Sequence, residues 1–305
     1  MKKWVFLVVV LLLLGYESVQ HKMEDAAGSP EHEEPKAQLS NSDSAQKKQD
    51  KQINQDKQTK PSKQTTISIA KDQMYKGKLV LVNKKYAVHQ EGVQSDIIRL
   101  FSHKELIKGY GLLDNTIRLS QAVTKSFGEM IEAADKDGVR HFMISSGYRD
   151  ENEQEELYRE MGSDYALPAG NSEHNLGLSM DIGSTQMEMN QAPEGKWLLK
   201  SAWKYGFILR YPKDKTAITG IQYEPWHFRY VGLPHSAIMK DKNMTLEEYL
   251  DYLKEQKNVS IQIEGIYYEI EYYRYAKNMT ISIPDQRRYD ISGNNVDGII
   301  VTMSP

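Results

Sequence analysis

The sequence predicts an α+β fold, and three features of it carry that expectation. Segments with a helical apolar period and short apolar runs of strand type follow one another in mixed order between residues 75 and 257. Beyond Asn258 the character changes to strand and turn, with alternation through Val259-Ser260-Ile261-Gln262-Ile263 and a run from Tyr267 to Tyr273 flanking Glu264-Gly265. No internal repeat is evident.

Taken in order, Lys78-Leu79-Val80-Leu81-Val82 running into Asn83-Lys84-Lys85 reads as a strand and turn, where folded structure is expected to begin. Ser120 then precedes a helical period at Ala122, Val123, Phe127, Met130, Ile131 and Ala134, closed by Gly138. Phe142-Met143-Ile144-Ser145 reads as a buried strand and Asp150 as the cap of an acidic helix to Met161, so Gly147-Tyr148-Arg149 falls at a strand-to-helix junction. Leu176 to Ile182 is expected as a strand and Lys196 to Tyr205 as a helix. Thr245 starts another helix, to Gln256, with Glu248 completing a capping box. Further β-rich runs at Met279 to Ile283 and Val296 to Thr302 complete a small β appendage of about four strands.

The N-terminus has a different character. Met1-Lys2-Lys3 precedes an unbroken apolar run from Trp4 to Leu14, the layout of an export segment. The run is shorter than the roughly 20 residues that span a bilayer comfortably. Ser18-Val19-Gln20 is nevertheless a poor cleavage site, so an anchor at the extracytoplasmic face of the cell membrane is expected, with secretion after cleavage as the alternative. Residues 21–74 are rich in Lys, Gln, Glu, Asp and Ser and cannot bury enough surface to offset their ordering entropy. The expected organisation is therefore an anchor at 1–20, a disordered polar tether at 21–74, a catalytic domain at 75–257 and the β appendage at 258–305.

A net charge of −3 over 305 residues gives no basic field, which leaves nucleic acid out as a partner. There is no cysteine, so disulfides, a lipid-modified cysteine, thiolate metal sites and cysteine nucleophiles are excluded together. Any metal must be held by imidazole and carboxylate.

Two segments pair histidine with carboxylate: Ser172-Glu173-His174-Asn175-Leu176-Gly177-Leu178-Ser179-Met180-Asp181 and Glu224-Pro225-Trp226-His227. A catalytic zinc takes three protein ligands and keeps one open position, a set that His174, Asp181 and His227 would supply. Gly177 permits a tight turn between the first two. Asp181 lies in an apolar run, where a carboxylate is costly unless paired or metal-bound. Glu224, three residues before His227, is the candidate general base. His21, His32, His89, His103, His141 and His235 have no comparable company.

The patterns Ser-x-His-x-x-Gly-x-x-x-Asp and Glu-x-x-His, preceded by Ser146-Gly147-Tyr148-Arg149, resemble the zinc D-Ala-D-Ala carboxypeptidases and dipeptidases of the VanY and VanX type, with VanY the better match. The resemblance extends through Tyr205-Gly206-Phe207-Ile208-Leu209-Arg210-Tyr211-Pro212, Tyr223 to His227, and Ile291-Ser292-Gly293-Asn294-Asn295. It implies the hedgehog-like D,D-peptidase fold, one zinc ion on His174, Asp181 and His227, and acid/base catalysis by Glu224. It also implies that Arg149 forks onto the substrate's terminal carboxylate, that Gln154 and Ser172 contact its polar groups, and that Trp226 walls the pocket. The implied substrates are D-Ala-D-Ala-ended peptidoglycan precursor stems, and the implied consequence is glycopeptide resistance of the vancomycin type. With no serine nucleophile, β-lactams should inhibit poorly.

Other readings remain at this point. The same chemistry could serve an L,D-carboxypeptidase or a peptidoglycan endopeptidase, and a structural metal would make the chain a wall-binding module. A serine peptidase reading of Ser201-Ala202-Trp203-Lys204 with Ser292-Gly293-Asn294 fails because no Lys-Thr-Gly element follows.

Overall fold

The computed structural model describes residues 63–162 and 166–305. The apolar N-terminal run and residues 21–62 of the expected tether lie outside the described residues. Among the described residues no helix is long and apolar enough to cross a membrane.

The strands and helices, in chain order, are β1 (Gln64–Ser68), β2 (Ile97–Arg99), β3 (Tyr110–Leu112), β4 (Arg118–Ser120), α1 (Gln121–Lys136), β5 (Phe142–Ser146), α2 (Glu151–Met161), β6 (Ser179–Ser184), α3 (Pro193–Ser201) and β7 (Phe207–Leu209). The second half continues with α4 (Thr216–Thr219), β8 (His227–Tyr230), α5 (His235–Asp241), α6 (Leu246–Gln256), β9 (Asn258–Ile263), β10 (Ile266–Arg274), β11 (Thr280–Pro284), β12 (Arg288–Gly293) and β13 (Gly298–Ser304). A five-stranded sheet of order β3-β5-β6-β8-β7 forms the centre, antiparallel except for the β3–β5 pair. Val123, Phe127, Met130, Ile131 and Ala134 of α1 share one buried cluster with Phe142, Ile144, Met180, Ile182, Phe207 and Phe228 from that sheet. This gives the α+β layering that the mixed order of elements predicts.

Local signals placed the helix starts well. Ser120 accepts the Val123 N–H, and Asp150 and Thr245 each form a complete capping box with Glu153 and Glu248. Elsewhere the structure departs from expectation. Leu79 to Val82 is buried but belongs to no sheet. Side chains stand in for a neighbouring strand: Arg229 donates to the Lys78 and Val80 carbonyls, Asn295 to the Leu81 carbonyl, and Ser292 Oγ accepts the Leu79 N–H. The run therefore looked like a strand because it is buried, not because it is paired. The segment expected as one strand at 176–182 divides into a 3-10 turn over Glu173–Leu176 and β6. The helix expected at 196–205 becomes α3 plus a 3-10 turn, Ala202–Tyr205.

The C-terminal region holds five strands, not four. β12-β13-β10-β9 form one sheet, while β11 pairs with β1, at the end of the expected tether. Ordered structure thus begins before residue 75, because Gln64–Ser68 finds its partner more than 200 residues away and its Ile67 packs with Ile281 and Ile283. β12, exposed over its first three residues and mostly polar, gave no apolar run to read.

Nor is this sheet peripheral to the core. Ile270, Tyr272 and Ile300 pack with Leu79, Leu81 and the α6 residues Leu246, Tyr249, Leu250 and Leu253. His235 bridges the same layers, between the Tyr249 hydroxyl (2.8 Å) and Thr302 Oγ1 (3.0 Å). Burying three large side chains is worth about 5–9 kcal/mol, comparable with the whole stability of a typical domain. Truncation after Lys257 is therefore expected to abolish cooperative unfolding. A truncated chain that melts cooperatively near the parent temperature would contradict this.

Candidate metal centre and active site

Three backbone segments converge at the ends of β5, β6 and β8. The β6–β8 register sets Asp181 directly opposite His227, so the two side chains leave the same face of adjacent strands, with Cβ atoms about 5 Å apart. His174 arrives on the 3-10 turn before β6, where Ser172 Oγ accepts its backbone N–H. Gly177 closes that turn at φ 79°, and a Cβ there would lie 2.2 Å from Ile97 Cδ1. The left-handed backbone there favours glycine, and a larger residue would also have to displace the Ile97 side chain.

His174 Nε2 is 3.4 Å from Asp181 Oδ2, and His227 Nδ1 is 3.2 Å from Asp181 Oδ1. One donor atom from each of the three residues lies within 4.8 Å of the others. Ligands about 2.0–2.1 Å from a tetrahedral ion stand about 3.3 Å apart, so the observed separations suit a common zinc ion. The Asp181 Oδ1 atom is buried without a hydrogen-bond partner, as an atom that waits for a cation would be. His174 Nδ1 lies 2.6 Å from the Gly147 carbonyl oxygen, which can only accept. The ring proton therefore sits on Nδ1 and the Nε2 lone pair faces Asp181.

Glu224 Oε2 is 3.5 Å from His227 Nδ1, brought there by a turn in which the His227 N–H donates to the Glu224 carbonyl. Its side chain is 25% exposed and so borders the open side of the trio. Arg149 follows β5, its backbone N–H donating to the His174 carbonyl (3.2 Å). Among the described residues no ion pair joins Arg149 to the acidic helix after it, and Arg118 takes both Asp150 and Glu153. Arg149 Nε is buried without a hydrogen-bond partner among the described residues. Gln154 is buried, its Nε2 donating to the Leu167 carbonyl (2.6 Å) while Oε1 has no partner among the described residues. Ser172 is buried and spends its hydroxyl on the His174 turn. Trp226 is partly buried and packs against the main core cluster.

The electrostatics separate the two histidines. Burial, and then the charge of Arg149, lowers His174 to about 4. Burial works against a charge on His227 as well, but the carboxylates of Asp181 and Glu173 that face the ring overcome it and raise it to about 9. Burial raises Glu224 to about 7, aided by Asp181 and opposed by His227 and Arg149. Asp181, despite burial, stays well below the usual carboxylate range because His174 and His227 face it.

Sequence reasoning missed the charges that adjoin the trio. Glu173, Arg210 and Arg229 are all buried, with Arg210 and Arg229 each within 2.8 Å of Glu173 Oε1. The signal was available: Arg210 and Arg229 lie inside apolar runs, as Asp181 does, where an unpaired charge would be costly. Tyr211 was missed too; its buried ring lies 4.9 Å from the His227 ring.

A family model described as VanY, D-alanyl-D-alanine carboxypeptidase, matches residues 116–233. A D-alanyl-D-alanine carboxypeptidase of Enterococcus faecium is 53% identical over 310 residues, covering 100% of this chain and 97% of the relative. A bifunctional D-Ala-D-Ala dipeptidase and D-Ala-D-Ala carboxypeptidase of Enterococcus gallinarum, VanXYC, is 40% identical over 157 residues, covering 46% of this chain and 81% of the relative. Among solved structures, the vancomycin resistance D,D-dipeptidase VanXYg in complex with a D-Ala-D-Ala phosphinate analog superimposes with a TM-score of 0.70 at 31% identity, over 80% of this chain and 100% of that one.

Proposed function

The chain belongs to the VanY family of D-alanyl-D-alanine carboxypeptidases, and on that premise we propose a zinc D,D-carboxypeptidase that removes the terminal D-alanine from peptidoglycan precursor stems. The observation that carries the zinc reading is that one donor atom each from His174, Asp181 and His227 lies within 4.8 Å of the others, with the two imidazoles 3.4 and 3.2 Å from the two oxygens of Asp181. His174 Nε2, Asp181 and His227 Nδ1 would hold the ion. Bound there, zinc polarises a carbonyl and makes water more acidic.

The remaining work falls to the chain itself. Glu224 takes a proton from the attacking water and delivers it to the departing amine, so one carboxylate serves as base and then acid. The water oxygen joins the carbonyl carbon, the C–N bond breaks, and D-alanine leaves as the free amine. Arg149, with its unpartnered Nε, forks onto the terminal carboxylate and selects a chain end. The free Gln154 Oε1 suits an N–H donor of the stem, and Trp226 walls the pocket. Ser172, already engaged with the His174 turn, supports the site as well as any substrate contact. The N-terminal apolar run would hold the enzyme at the extracytoplasmic membrane face, where loss of terminal D-alanine would contribute to vancomycin resistance.

Arg149→Met is expected to lower kcat/KM for D-alanine release from a muramyl pentapeptide by about 10²–10³-fold, chiefly through KM. Full activity in this variant, or release only from L,D-linked tetrapeptides by the wild type, would overturn the assignment. Metal uptake gives a separate test. Without metal, His227 keeps its proton through neutral pH because its folded value, about 9, lies above the usual 6.5. Zinc needs the neutral ring, so binding at pH 7.5 is expected to release about one proton, and affinity to rise with pH until about 9. Calorimetry in buffers of different ionisation heat measures this; zero proton release would contradict it.

A further inference from the structure

A buried charge cluster adjoins the trio through Glu173, the neighbour of His174 in the chain. Glu173 Oε1 accepts from Arg210 Nε (2.8 Å) and Arg229 Nη1 (2.7 Å), and Oε2 accepts from Ser179 Oγ (3.1 Å). Each arginine is held in turn. Arg210 forks onto Glu247 of α6 at 2.8 and 2.7 Å, and Arg229 Nη2 donates to the Lys78 and Val80 carbonyls at 2.9 and 2.8 Å. Both arginine side chains and that of Glu173 have no exposure.

Charges so placed are a poor device for stability alone, since apolar side chains of similar volume commonly do as well. What the cluster does hold is one carboxylate oxygen in a fixed place. Glu173 Oε2 is 3.8 Å from His227 Nε2, a buried nitrogen with no hydrogen-bond partner among the described residues. That gap is about 1 Å longer than a hydrogen bond. The other nitrogen of the same ring, Nδ1, faces Asp181 at 3.2 Å.

We propose that Glu173 is a positioning residue for His227: locked between Arg210 and Arg229, its fixed negative charge faces Nε2 at 3.8 Å, favours the ring proton there and leaves the lone pair on Nδ1, directed at the metal. A carboxylate on the far nitrogen of a ligating imidazole fixes the tautomer and makes the ring a stronger donor. The inference rests on His227 as a zinc ligand. It also gives the C-terminal region work to do. Glu247 lies on α6, which packs on the second sheet, and the Leu79–Leu81 backbone next to Arg229 is pinned by Ser292, Asn294 and Asn295.

The test uses the full chain loaded with zinc, with affinity measured by competition with a chromophoric chelator and the imidazole nitrogens resolved by 15N NMR. Glu173→Gln replaces an acceptor by an amide that can donate to Nε2 and favour the wrong tautomer. It is expected to weaken zinc binding by about 10–100-fold. The His227 signals should shift while His174, held by the Gly147 carbonyl, keeps its Nδ1–H signature. Glu247→Gln, further out, should weaken binding a few-fold with the same pattern. A folded Glu173→Gln with unchanged affinity and His227 signals overturns the proposal. So does a loss in which both rings change alike. If Glu173→Gln does not fold, Glu247→Gln decides: unchanged affinity and His227 signals overturn it. Failure of the metal site itself looks different, since the wild type would then bind no zinc, or His174→Ala would bind it equally well.

Discussion

Glu224→Gln is expected to lower kcat for D-alanine release by about 10²–10⁴-fold while zinc stays bound at one ion per chain. The amide preserves size and polarity but can neither take a proton from water nor return one to an amine. Glu224 stands 3.5 Å from His227 Nδ1 and outside the trio, so its loss should spare the metal. Burial raises its carboxyl to about 7 in the metal-free protein, and the charge of a bound ion would draw it down again. The acid limb of the wild-type rate should therefore fall below pH 7, with activity lost as Glu224 becomes protonated. Near-normal kcat in a zinc-replete Gln variant would remove Glu224 from the mechanism.

Chelation should cost more. Stripping the ion is expected to lower turnover by at least about 10³-fold, with recovery at one equivalent of zinc. The fold should survive the loss, because the trio is placed by strand register and by a capped turn rather than by the ion. Zinc at 1,000 times its dissociation constant should still add about 4 kcal/mol to stability, visible as a rise in melting temperature. Turnover that persists in chelator with no zinc left would sink the metal mechanism. A metal-free chain that is unfolded would instead show that register alone does not hold the three donors.

Several elements were legible because their causes are local. Asp150 and Thr245 are short side chains that satisfy N–H groups three residues away, so a window of a few residues contains the whole interaction. The α1 apolar period was equally plain. Leu79 to Val82 was misread because burial and pairing leave the same apolar trace; what occupies the hydrogen-bonding positions there is side chains of residues 229, 292 and 295 and the Asn294 carbonyl. β1 was missed because nothing in a polar segment announces a partner strand at the far end of the chain.

The candidate site shows the same division. Residue types and spacing alone selected His174, Asp181, His227 and Glu224, since cysteine is absent and few residues can hold zinc or shuttle a proton. Tertiary structure decided which nitrogen of each ring faces the trio, that Arg118 takes the acidic neighbours of Arg149, and that Glu173 backs His227. Chemistry resides in side chains and can be read one residue at a time. Orientation depends on strand register and on buried charges from opposite ends of the chain, and those relations exist only once it has folded.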